Sequence, residues 1–170
     1  MNEFRRLIRL VEAATEQELP GRVAKLLDKP IKITLKDGRQ GILTVTRRND
    51  ELAQCLSVVV TVDGEHAGSM LICPNRVPPP EDDYDLYAED RGSWSVADVW
   101  VNREFLRQRI ATTMYDTLAR AGMKILASGM GYGGKLSPYG RALWQSNQPP
   151  AKFFSGRLPK PQRFWKPRKR

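Results

Sequence analysis

Two Asp-Gly pairs, Asp37-Gly38 and Asp63-Gly64, each stand between runs rich in alternating apolar residues, and they restrict the fold more than any other feature of the chain. Aspartate and glycine tolerate the backbone of a tight reversal, so each pair predicts a hairpin whose strands are antiparallel neighbours. The first hairpin joins "IKITL" to "GILTV", with Ile31, Ile33 and Leu35 on one face and the return running from Ile42 to Val45. The second lies within "LSVVVTVDGEHAGSMLI", where β-branched residues flank the turn. Downstream, "WSVADVWV" reads as a further strand. "NREFLRQRIATTMYDTLARAG" carries Ile110, Ala111, Met114, Leu118 and Ala121 at helical spacing, and "MKILASG" follows the Gly122 stop as another strand. A strand, helix and strand of this length predict a crossover whose two strands lie side by side, parallel or splayed.

The ends add helices and a tail. "EFRRLIRLVEAAT" places Phe4, Leu7, Ile8, Val11 and Ala14 on one face, and a second short helix over about 17–28 stops before Pro30. "LSPYGRALWQSN" predicts a last helix, with Ser137 as cap and Pro138 in its first turn. The expected fold class is therefore α/β of the α+β kind, a mixed and mostly antiparallel sheet flanked by helices. Helices occupy 1–28, hairpins 31–73, an acidic loop 74–93, strand-helix-strand 94–126 and the last helix 137–146. Together they make one domain over 1–149, followed by a basic aromatic tail over 150–170.

Charge is unevenly placed. The chain of 170 residues carries a net +9, yet no acid follows Asp116 while twelve Lys and Arg do, so the first 116 residues carry −3. Six acids between Glu81 and Asp90 follow three prolines, which marks an acidic, extended loop. In the tail, Phe153, Phe154, Phe164 and Trp165 interleave with basic residues over 152–170, a mixture suited to nucleic acid or an acidic protein, or to the chain's own acidic loop. No apolar run is long enough to span a membrane or serve as a signal peptide, so a cytoplasmic location without membrane association is expected. Cys55 and Cys73 sit in apolar strand-like runs and read as reduced core residues. His66 is the only histidine, so no metal is expected. The segment "GMGYGGK", 129–135, has phosphate-loop spacing, but Leu136 stands where a magnesium-binding Ser or Thr is needed; it reads as a glycine loop joining strand to helix.

The stretch 94–120 is similar to the strand, turn and helix of the GNAT family of N-acetyltransferases, and the wider resemblance covers about 56–144. In that family a V-x-P-x-Y-like strand end precedes R/Q-x-x-G-x-G/A at a helix start, whose backbone N–H groups bind the coenzyme A pyrophosphate. Here Val101 matches the valine, Arg103 replaces proline and Phe105 is the aromatic. Leu106 takes the Arg/Gln place, Arg109 that of the central glycine, and Ala111 is the final small residue. "LSPYGRALW" is similar to the S-x-x-G-x-A-h-W endings of small GNAT-like sequences.

The resemblance implies acetyl-CoA as co-substrate, bound by Val99, Val101, Arg107, Gln108, Arg109, Ile110, Ala111 and Thr112, and acetyl transfer to an amine by direct attack. It implies catalytic roles for Asp98, as the strand carboxylate that deprotonates the amine, and for Tyr139, as the phenol that protonates the leaving thiolate. Arg107 and Arg109 either contact phosphate through their guanidinium groups or obstruct the groove that glycine keeps open. The second function class is accordingly a GNAT-like binding protein without coenzyme, acting on nucleic acid or a partner protein through its basic C-terminal surface.

Overall fold

The computed structural model describes residues 19–50, 53–75, 92–126, 138–147 and 164–168. The expected helix over 3–15, the acidic run 81–90, the glycine-rich segment 129–135, Ser137, Phe153 and Phe154 lie outside the described residues. Within them the fold is α+β. Its elements in order are α1 (Gly21–Ala24), β1 (Ile31–Thr34), β2 (Gln40–Asp50), β3 (Ala53–Val62), β4 (Glu65–Pro74), β5 (Ser93–Val101), α2 (Ile110–Arg120), β6 (Lys124–Leu126) and α3 (Pro138–Asn147). The strands form one mixed sheet in sequence order, antiparallel from β1 to β5 and parallel where β6 meets β5. No helix among the described residues is long and apolar enough to cross a membrane.

Both predicted hairpins are present. Gly38 has φ 88° in the first turn, and the successive positive φ of Asp63 (52°) and Gly64 (83°) gives the second the tight, twist-matched reversal that hairpins favour. The helix expected over 17–28 shrinks to α1. The chain leaves it to pair with β2, where the Asp28 N–H donates to the Val45 carbonyl at 2.8 Å.

Two β-bulges decide what each sheet face carries. Thr61 pairs with His66 but Val60 pairs with Gly68, so Ala67 is an extra residue and the register slips by one. That slip brings Cys55 opposite Cys73, and the two form a disulfide, correcting the expectation of reduced thiols. With Leu71 they make a small apolar cluster of their own. At the second bulge Leu71 pairs with Asp98 and Ile72 with Val96, leaving Ala97 extra. Ala97 and Asp98 are both exposed, while Val99 and Val101 return to the core side.

The core lies between the inner sheet face and α2. Leu43, Val58, Val60, Met70, Ile72 and Trp94 supply the sheet side, and Ile110, Met114 and Leu118, each four residues apart, supply the helix side. Gly68 permits this contact. A Cβ there would lie 2.9 Å from the Trp100 carbonyl oxygen and 3.0 Å from the Ile110 Cγ2. Past Ala121 the helix is stopped by Gly122, in left-handed conformation at φ 97°.

Residues 164–168 form a strap across this layer. Phe164 bridges Leu126 in antiparallel fashion, and the Trp165 N–H donates to the Ile125 carbonyl at 2.8 Å. The Trp165 ring is buried, stacked on Tyr115 at 4.5 Å and edge-on to Trp144 at 5.3 Å. Its indole N–H donates to Asp116 Oδ1 at 2.7 Å. Trp165 is thus committed to the interior, not free to stack on bases.

Two outcomes follow for stability. Gly68→Ala should lower unfolding free energy by about 1–3 kcal/mol in denaturant titration, because backbone rather than a movable side chain opposes the new methyl. Burial pushes the Tyr115 hydroxyl up to about 12 from 10.0. A folded value above the unfolded one means that this stability is complete below about pH 10 and is lost as pH rises towards about 12, on the order of 2 to 3 kcal/mol in all. Tyr115→Phe should flatten that alkaline decline in thermal melts.

Candidate functional site

β5 ends in a basic turn. Asn102 donates its N–H to the Ala67 carbonyl at 2.9 Å, its side chain accepts from the Glu104 N–H at 3.4 Å, and Arg103–Phe105 make a single 3-10 turn. The chain then passes through Arg107 and Arg109, both at φ 65°, into α2. An arginine in this left-handed region costs about 1–2 kcal/mol, and two within three residues mark a backbone path that the surroundings enforce.

Those surroundings can be named. Phe105 is buried, and the Arg39 guanidinium lies 4.8 Å above its ring centroid. The Gln108 side-chain carbonyl accepts the Asp37 N–H at 3.1 Å. The Asp37 carboxylate in turn accepts from the Arg39 backbone N–H at 3.1 Å and from its Nε at 2.8 Å. The Arg39 backbone N–H, seconded by the Arg39 side chain, holds the Asp37 carboxyl below its usual range. The brace is therefore complete above the ordinary carboxylate range and weakens as pH falls through the depressed value. In this way the β1–β2 hairpin turn clasps the basic turn, although the two are far apart in sequence.

The start of α2 is electrostatically one-sided. No side chain caps it and no acid lies in its first turn, so its free amides and positive dipole end face the same space as Arg107 and Arg109. That space is a cavity of about 620 Å³. Val99, Val101, Phe105, Ile110 and Leu143 supply apolar wall; Arg103, Arg107, Arg109 and Arg168 supply charge; no Asp or Glu is among the described lining residues. Trp100 and Leu106, 46% and 48% exposed, add apolar surface to its lining. Such a lining suits an elongated ligand with an apolar arm and more than one anionic group.

Of the residues implicated by sequence, Val99, Val101, Arg107, Arg109, Ile110, Ala111 and Thr112 line this one cavity. Gln108 turns to the Asp37 amide instead. Asp98 is exposed on the outward side of the second bulge, opposite Leu71, and is not part of the cavity lining. Tyr139 lies in the first turn of α3. Trp100, Arg103, Phe105, Leu106, Leu143 and Ser146 also line the cavity without having been among the expected coenzyme-binding residues, and Arg168 was expected only as part of the basic tail. Arg103 stood within the basic turn and was legible; Leu143, Ser146 and Arg168 belong to elements that reach the cavity only through tertiary packing.

No family model matches this chain, and comparison with curated proteins and with solved structures returns no match either.

The enforced backbone at Arg109 gives a mutational signature. Arg109→Gly should leave stability within about 1 kcal/mol of wild type, since relief of the left-handed strain offsets the greater freedom of the unfolded chain. Arg109→Val should cost about 1–3 kcal/mol more, measured by chemical denaturation, because a β-branched residue tolerates this conformation worst.

Proposed function

We propose that this chain is a GNAT-like N-acyltransferase that moves an acetyl group from acetyl-CoA to an amine by direct attack. The observation that carries the reading is the backbone at Arg109. At the place where the family pattern has its central glycine, this arginine takes a glycine-like φ of 65° at the head of a crossover helix with an uncapped N-terminus. Arg109 thus departs from the pattern in its side chain while holding a backbone conformation that glycine adopts readily. The first-turn amides of α2 can meet a pyrophosphate, with Arg107 and Arg109 adding charged donors. The apolar surface of Val99, Val101 and Ile110 suits the pantetheine arm.

In this reading the acceptor amine attacks the thioester carbonyl, the tetrahedral intermediate collapses with cleavage of the C–S bond, and the thiolate leaves. The amine must lose a proton and the thiolate leaves more readily if it gains one. Asp98 faces away from the cavity, so in this reading the amine proton is given up to solvent water, and Tyr139 is assigned the protonation of the thiolate. A binding protein without coenzyme is the competing reading, and the replacement of Arg/Gln by exposed Leu106 favours it.

Calorimetry with acetyl-CoA separates the two. Wild type should bind with Kd below about 1 mM, the range in which enzymes commonly hold their substrates. Absence of binding by wild type at millimolar coenzyme, with binding gained in Arg109→Gly, would falsify the acyltransferase reading and leave the coenzyme-free one.

A further inference from the structure

We infer that the C-terminal strap is part of the anion site, and that Arg168 is a ligand-binding residue for a phosphate group of the nucleotide coenzyme. The inference rests on the coenzyme reading for the identity of the ligand, but on the strap's own geometry for the site.

The strap is held at several points. The Trp165 ring fills the space between Tyr115 and Trp144, and its indole N–H is bonded to Asp116. Lys166 exchanges two hydrogen bonds with the Asn147 side chain: its carbonyl accepts from Nδ2 at 2.9 Å and its N–H donates to Oδ1 at 3.1 Å. At Arg168 the carbonyl accepts from the Arg120 guanidinium at 2.5 Å, and the N–H points to Asp116 Oδ1 at 3.4 Å. A backbone held on both sides leaves only the side chain to choose its direction.

That direction is set by α3. The Ser146 hydroxyl donates to the Leu143 carbonyl at 2.7 Å and accepts from an Arg168 guanidinium nitrogen at 2.8 Å. Ser146 and Arg168 both line the cavity, along with the three arginines of the basic turn. The guanidinium keeps further N–H donors after the Ser146 bond, in the planar fork that matches phosphate oxygens. Four arginines around one cavity, with no described carboxylate in its lining, repel one another until an anion enters. Because Arg168 comes from a different element than Arg103, Arg107 and Arg109, the charge is not concentrated on one loop. A ligand with several phosphate groups can engage both elements at once.

Among the described residues no carboxylate pairs with the Arg168 side chain: that of Asp116, which its backbone N–H reaches, is engaged by the Trp165 indole and by Arg120 at 3.7 Å. Nor does the side chain contribute to the core, since Trp165 supplies the strap's buried surface. Arg168 is therefore removable without loss of the strap's apolar anchor.

The test uses the full chain and its variants Arg168→Ala, Arg168→Lys and Ser146→Ala, with coenzyme A and inorganic pyrophosphate as separate probes in calorimetry, and thermal melts alongside. Arg168→Ala should melt close to wild type yet bind coenzyme A about 10- to 100-fold more weakly, the usual loss of a charge-assisted contact. Arg168→Lys should recover part of the loss, and Ser146→Ala, which frees the guanidinium without touching the strap backbone, should weaken binding less than Arg168→Ala. Coenzyme A binding by Arg168→Ala equal to that of wild type overturns the inference while the coenzyme reading stands. Pyrophosphate binding that depends on Arg168, in a chain that does not bind coenzyme A, upholds the anion site and removes the coenzyme. Binding of neither probe by wild type removes both.

Discussion

The stripe of Ile110, Met114 and Leu118 against the inner sheet face is the contact from which the rest of the molecule is organised. It seats α2 over β4 and β5, and Gly68 lets the helix start approach the strand backbone. With the helix seated, its N-terminus lies at the end of β5, and the connection between them has only a few residues in which to turn. The left-handed pair Arg107 and Arg109 is the local cost of that short turn, of the kind that surrounding packing must enforce. Phe105 below, Arg39 above and Gln108 on the hairpin turn supply that enforcement.

The opposite side of the same helix organises charge. Asp116 is the last acid in the chain, and everything after it is neutral or basic. It sits buried where Trp165 and the Arg168 amide reach it, so the only carboxylate in the C-terminal third of the chain joins the strap to the fold. Burying a carboxylate is costly unless hydrogen bonds or an opposite charge satisfy it; here the indole N–H donates at 2.7 Å and the Arg168 N–H at 3.4 Å, and the Arg120 guanidinium forms an ion pair at 3.7 Å. With Asp116 so occupied, no carboxylate among the described lining residues neutralises the arginines around the cavity. One helix thus presents an anion-seeking N-terminus and, two turns later, the anchor that brings Arg168 to the same cavity.

Much of this was legible in the sequence where local chemistry dictates structure. The Asp-Gly turns, the alternation of the first four strands, the helical stripe and the Gly122 stop are short-range signals, and the crossover follows from their order. The disulfide was not legible. A hairpin closing at Asp63-Gly64 without irregularity pairs Cys55 with Ile72; only the extra residue at Ala67 puts it opposite Cys73, and a bulge has no fixed sequence mark. The site divides in the same way. Val99, Val101, Arg107 and Arg109 to Thr112 were found because they lie in one strand-turn-helix stretch, whereas Leu143, Ser146 and Arg168 were missed as cavity residues because α3 and the strap reach the cavity by packing alone. The place of Trp165 was left open for a related reason: aromatic residues among basic ones suit a nucleic-acid surface and a tail packed on its own chain equally, until a buried partner such as Asp116 is seen.

Amide chemical shifts during titration of labelled protein with acetyl-CoA test the central claim most directly, because they report where the ligand sits as well as whether it binds. The largest changes should fall at Gln108 to Thr112, with Arg168 and Ser146 moving in the same titration and the β1–β2 hairpin following through Asp37. Binding with those amides unmoved, and the changes confined to the outer sheet face around Cys55, Cys73 and Leu71, would contradict that claim.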